Sequence, residues 1–106
     1  MTDAIQIVTT TPTRDAAQKI ADALVARKLA AGVQVGGPIR STYRWKGNVE
    51  SADEWVCIIK TRRELYSAVE SAIRELHSYE VPEILALPIL DGSADYLRWI
   101  AAETTG

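Results

Sequence analysis

Apolar and polar positions alternate from Ala4 to Thr10 in a β-branched run, which predicts a short strand. Thr13 then offers a helix N-cap after Pro12, and Asp15 falls in the first turn, where the helix dipole favours an anion. Ala17, Ile20, Ala21, Leu24, Val25 and Leu29 recur at helical spacing, with Asp15, Gln18, Lys19 and Asp22 opposite. Arg27 and Lys28 belong to the last turn of this helix, and Gly32 is expected to end it. Val33 to Lys46 reads as extended, with a break at Gly36-Gly37-Pro38. Beyond the break, Ile39, Ser41, Tyr43 and Trp45 share one face and Arg40, Thr42, Arg44 and Lys46 the other. Lys46-Gly47-Asn48 is a turn, and Val49 to Lys60 is the returning strand.

Thr61-Arg62-Arg63-Glu64 has the capping-box pattern and should open a second helix, with Leu65, Val69, Ala72, Ile73 and Leu76 facing inward. A loop from His77 to Glu83, closed by Pro82, leads to a fourth strand from Ile84 to Ile89. Ser93 caps a last short helix carrying Leu97 and Ile100. The order strand, helix, strand, strand, helix, strand, then a C-terminal helix, predicts an α+β, ferredoxin-like βαββαβ sandwich with a long central β-hairpin. Two helices would cover one sheet face and leave the other bare, which is unstable unless something covers it. The hairpin also carries Tyr43, Trp45 and Trp55, and long exposed strands with aromatic residues invite pairing with another chain. Oligomerisation through the sheet face and hairpin is therefore expected.

Composition narrows the function. Residues 1–106 fit one domain, with 47% hydrophobic and 25% charged residues, the profile of an ordinary globular chain. A net charge of -2 gives no general attraction to phosphate backbones, so no nucleic-acid partner is expected. No apolar segment approaches the length of a membrane span. A single cysteine cannot form an intrachain disulfide, and the N-terminus shows no basic stretch before an apolar run, so the chain reads as cytoplasmic.

Several stretches carry a family resemblance. They are Thr10-Thr11-Pro12, Leu29-Ala30-Ala31, Ser41-Thr42-Tyr43-Arg44-Trp45-Lys46-Gly47, Lys60-Thr61, His77-Ser78-Tyr79-Glu80-Val81-Pro82-Glu83-Ile84 and Tyr96-Leu97-Arg98-Trp99-Ile100. In this order and spacing the chain resembles the CutA divalent-cation tolerance proteins across nearly its whole length. The resemblance implies a tight homotrimer with hairpins pairing between subunits, and a link to tolerance of copper and other divalent metals. Many members carry a cysteine directly after leucine-alanine-alanine, proposed as a copper-related thiol; here that residue is Gly32.

The candidate site residues each admit two readings. His77, the only histidine, suits either a metal-ligand role or a structural cap at the end of a helix. A metal site would add Glu80 and Glu83, or ligands from a second subunit, since zinc and copper normally take three or four N, S or O ligands. Cys57, between Val56 and Ile58, reads as an inert core thiol. Lys60 at a strand end either anchors an anionic ligand or extends to water. With the resemblance, Tyr43, Trp45, Lys60 and Tyr79 are expected to join His77, Glu80 and Glu83 around an inter-subunit pocket. Tyr43 and Trp45 read first as interface anchors, which aromatic residues often are.

No serine nucleophile elbow, cysteine–histidine pair or phosphate-cradling glycine loop is present, so no enzyme is expected. The leading expectation is a homotrimer that binds a divalent metal ion or small ligand near its subunit interfaces. The alternative is a PII-like trimeric signalling module that binds a small anion or nucleotide between subunits.

Overall fold

The structure, a computed structural model, describes residues 2–104; Met1, Thr105 and Gly106 of the 1–106 unit lie outside the described residues. Four strands form one antiparallel sheet: β1 (Ala4–Thr11), β2 (Gly32–Trp45), β3 (Asn48–Arg62) and β4 (Ile84–Pro88), in the order β2-β3-β1-β4. Helices α1 (Arg14–Ala26) and α2 (Tyr66–Leu76) connect them, and α3 (Ala94–Glu103) follows. This is the expected ferredoxin-like βαββαβ fold with a long β2–β3 hairpin and a C-terminal helix.

Strand alternation decides which residues meet which layer. Ile5 and Ile7 of β1 and Cys57 and Ile59 of β3 point toward α1 and α2, and pack with Ile20, Leu24, Val69 and Ile73 in the main core. Ile7, Leu24, Cys57, Ile59, Val69 and Ile73 are fully buried. The Cys57 thiol donates to the Ala17 carbonyl at 3.5 Å, and burial pushes its pKa up to about 11, so it is an inert core thiol. Trp55, one alternation step further along, packs partly buried against this same core, not on the outer side of the hairpin with Tyr43 and Trp45.

The opposite face carries Val8, Val56, Ile58, Leu85 and Leu87, as the paired registers Val8↔Ile58, Val8↔Leu85 and Thr10↔Val56 require. Leu85 is 56% exposed and Leu87 46%. Only one end is covered: Ile100 of α3 packs with Ala4 and Ala31. Arg62 fastens the end of that helix, its guanidinium donating to the Thr104 hydroxyl and carbonyl at 2.8 and 2.6 Å.

Three local expectations change. Helix α1 ends at Ala26, not at Gly32: Lys28 takes the left-handed conformation (φ 59). The Lys28 N–H donates to the Val25 carbonyl, and the Leu29 N–H to that of Leu24. This is a Schellman closure made without glycine, sealed by Leu29 against the core. Gly32 instead begins β2. The Thr61–Glu64 capping box does not form. Thr61 is still strand, fully buried, and its hydroxyl donates to the Leu29 carbonyl at 2.7 Å, while Glu64 pairs with Arg62. A 3₁₀ turn at Arg63–Leu65 leads into α2 without a side-chain cap. Ser93 stands at the N-cap of α3, but its side chain makes no capping bond.

The expected break in β2 is real: the register with β3 shifts between Gly36 and Ile39. Gly37 lies at φ 140, and a Cβ there would stand 2.9 Å from the Glu54 carbonyl oxygen, so only glycine lets the strands approach. Beyond the shift the hairpin arm extends to Lys46-Gly47, both with positive φ, as a two-residue turn requires. Arg40 meets Asp53 at 3.1 Å and Thr42 meets Ser51 at 2.9 Å on one side of the arm.

Candidate ligand-binding groove

On the other side of the arm, the side continuous with the open sheet face, the loop after α2 lies over β3 and leaves a groove of about 710 Å³. Ser41, Tyr43 and Trp45 of β2 form one wall, Tyr79 to Glu83 the other, and Thr10 and Glu54 lie at the base.

His77 and Tyr79 set the position of that loop. The Tyr79 N–H donates to His77 Nδ1 at 3.0 Å, so Nδ1 is an acceptor and Nε2 carries the proton. Nε2 then donates to the Thr10 carbonyl at 2.6 Å, tying the loop to β1. The two rings lie 4.7 Å apart. The Tyr79 hydroxyl donates to Glu54 Oε2 at 2.8 Å, tying the loop to β3 as well. Burial, then the hydrogen bond and the charge of Glu54, hold the Tyr79 phenol well above the usual tyrosine range.

Glu54 is 8% exposed, the sole buried charged residue among those described. Its neighbour Asp53 pairs with Arg40 on the far side of the arm, whereas Glu54 turns to the groove. Its signal was present in the alternation: Glu54 shares a strand face with Val56 and Ile58, an acid in an apolar row.

The expected site residues separate into two groups. Tyr43, Trp45, Tyr79, Glu80 and Glu83 come together in the groove. His77 stands behind it as the loop's anchor, with both ring nitrogens engaged by backbone groups. Lys60 is elsewhere: six residues along β3 from Glu54, about 20 Å away at the usual strand rise, its ammonium donates to Gln34 Oε1 at 3.1 Å. Burial lowers the pKa of Lys60 from the ordinary lysine value.

Metal ligation finds little support within one chain. Among the described residues no group of three or more His, Cys, Asp and Glu side chains could hold a metal ion. His77 would have to give up a backbone hydrogen bond to become a ligand. Glu80 faces solvent and pairs with Lys46 at 3.9 Å. At position 32 a Cβ would stand 3.1 Å from Trp99 Cη2, so a thiol there would require that ring to shift by a few tenths of an ångström.

With fold and groove in place, comparison with known proteins decides the family. A model described as the CutA1 divalent ion tolerance protein matches residues 5–103. The chain belongs to that family. It is 42% identical to the chloroplastic protein CutA of Arabidopsis thaliana over 100 residues, 94% of this chain and 55% of that one. The chain thus spans about half the length of the plant relative. The structure of CutA from Xylella fastidiosa superimposes with a TM-score of 0.95 at 35% identity, covering 98% of this chain and 100% of that one. The periplasmic divalent cation tolerance protein CutA from Archaeoglobus fulgidus gives a TM-score of 0.93 at 37% identity, covering 96% and 99%. The family description and that of the Archaeoglobus protein name tolerance of divalent cations. No helix among the described residues is long and apolar enough to cross a membrane.

Proposed function

We propose that residues 1–106 act as one domain of a small homotrimer linked to divalent-metal tolerance, copper included. In this reading the protein works by binding, not by catalysis, and the groove between hairpin arm and loop is its ligand site near the subunit interfaces. The observation that carries the reading is the continuity of the groove with the open apolar face. The surface that would pack against other copies runs directly into the groove's aromatic wall at Tyr43 and Trp45. A subunit packed on that face would border the groove and help to close it. The described residues of one chain do not gather a complete copper or zinc site, so a bound metal would need Glu80 or Glu83 together with groups from a second subunit.

The alternative, a PII-like module for a small anion or nucleotide, has weaker support. The groove brings Glu54, Glu80 and Glu83 to where a phosphate would sit, and Lys60 lies away from it. Relatives are named for the chloroplast and for the periplasm, so the family is not confined to one compartment.

The test is calorimetric titration of copper(II), zinc(II) and a nucleotide panel into the full chain. Stoichiometric metal heat at one site per chain or per trimer, reduced in Glu83→Gln, supports a metal role for the groove. A saturable nucleotide signal without metal heat would replace this reading with the signalling one.

A further inference from the structure

The groove has an electrostatic character that a nucleotide role does not explain and that points to a cation. Its base holds a carboxylate, Glu54, that is more than nine-tenths buried and has no basic partner among the described residues. Tyr79 satisfies Oε2, while Oε1 has no hydrogen bond among the described residues and stays open to the groove. Burying a carboxylate without a cation is costly, and the cost falls when a cation is brought to it. The other ionisable side chains lining the groove besides its tyrosines are also acids, Glu80 and Glu83; no Lys, Arg or His is among the described lining residues.

The walls are aromatic. Tyr43 and Tyr79 stand on opposite sides of the groove that Glu54 closes below, and Tyr43 is near enough to help raise the Tyr79 phenol. Aromatic faces attract a cation that has lost part of its water. At the outer rim the chain already makes such a contact with its own ammonium. Lys46 Nζ lies 5.5 Å over the Trp45 ring and 3.9 Å from Glu80 Oε2. The inner groove repeats that combination, ring and carboxylate, with no ammonium of the chain to fill it.

We infer that this groove is a binding site for an organic cation, a primary or methylated amine seated between Tyr43 and Tyr79 with its charge toward Glu54. The inference rests on the groove being a ligand site, as proposed above, and specifies what the site takes. A bare divalent ion would demand several oxygen ligands around it, which the groove does not gather. An ammonium needs only one carboxylate and the ring faces. At about 710 Å³ the groove has the volume of a small-molecule site.

Three probes of one size separate the possibilities: benzyltrimethylammonium, the tertiary alcohol 2-methyl-1-phenylpropan-2-ol and benzylphosphonate, each titrated calorimetrically into the full-length protein. The expected result is binding of the cation about tenfold or more tighter than of the alcohol, with no binding of the phosphonate. Glu54→Gln keeps an acceptor for the Tyr79 hydroxyl and removes the charge. It should weaken the cation about tenfold and leave the alcohol unchanged. Tyr43→Leu, exposed enough to leave folding intact, keeps apolar bulk without the ring face and should weaken the cation several-fold. Equal binding of cation and alcohol, or a cation isotherm indifferent to both substitutions, would overturn the organic-cation assignment and leave a ligand site of other specificity. Failure of all three probes would overturn the organic-cation assignment, while the copper and zinc titration above decides separately whether the groove is a ligand site.

Discussion

The two faces of the sheet come from the same four strands and the same alternation, yet they end in opposite states. On the helix side, Ile7, Cys57 and Ile59 are sealed beneath α1 and α2. On the other, Leu85 and Leu87 remain about half exposed beside Val8 and Ile58, and α3 reaches only one end. An apolar face left this open in a chain of 106 residues points to burial by something outside the chain. One buried polar residue from each face shows a related difference. On the helix side, the buried hydroxyl of Thr61 is spent inside the fold, on the Leu29 carbonyl. On the open side, the buried carboxylate of Glu54 keeps one oxygen without a hydrogen bond among the described residues, beside a groove.

The largest effect expected is on the closed face. Ile7→Ala should lower the unfolding free energy by about 3 kcal/mol in urea denaturation, since it opens a cavity among fully buried neighbours. A loss below about 1 kcal/mol would mean that this face repacks freely and that the contrast is overdrawn.

Next comes the link between loop and sheet. Tyr79→Phe removes the donor to a buried carboxylate and should cost about 1–3 kcal/mol at pH 8. The raised pKa of the Tyr79 phenol gives the effect a pH signature. The protonated phenol is favoured in the folded state, so its contribution is complete below the unfolded value of about 10 and is lost as pH rises beyond it. The stability gap between wild type and Tyr79→Phe should therefore narrow between pH 8 and 11. A constant gap would show that the hydroxyl plays no part in holding the loop.

The smallest effect concerns the end of α1, remote from the open face. Lys28 pays for a left-handed backbone that glycine adopts freely, so Lys28→Gly should raise stability by about 0.5–1 kcal/mol. A loss of stability in the same assay would show that the Lys28 side chain contributes more than its backbone costs.

These comparisons also mark how far the sequence could be read. Element order, the break at Gly36–Pro38, the Lys46-Gly47 turn and the bare face were all legible, because each follows from periodicity or from a residue with a special backbone. The end of α1 was misplaced because the expected signal is glycine, and a lysine took the left-handed position under the pull of Leu29 toward the core. The capping box at Thr61 failed for a tertiary reason: its hydroxyl had a buried carbonyl to serve, and β3 ran on through Arg62. Of the groove, its aromatic and loop acid residues were visible through the family motif, but Glu54 was not, since it lies outside those stretches, beside the exposed Asp53. His77 was recognised as important, though which of its two roles it filled depended on the Thr10 carbonyl, 67 residues away in the chain. The separation of Lys60 from the groove likewise needed the register of the sheet.

The most direct test of the central claim, that the open face exists to be covered by copies of the chain, is light scattering on wild type and Leu85→Asp. The account predicts a wild-type mass three times that of the chain, and a smaller mass for Leu85→Asp with its helical circular dichroism retained. A wild-type mass equal to one chain, or an assembly indifferent to a carboxylate placed on that face, would contradict it.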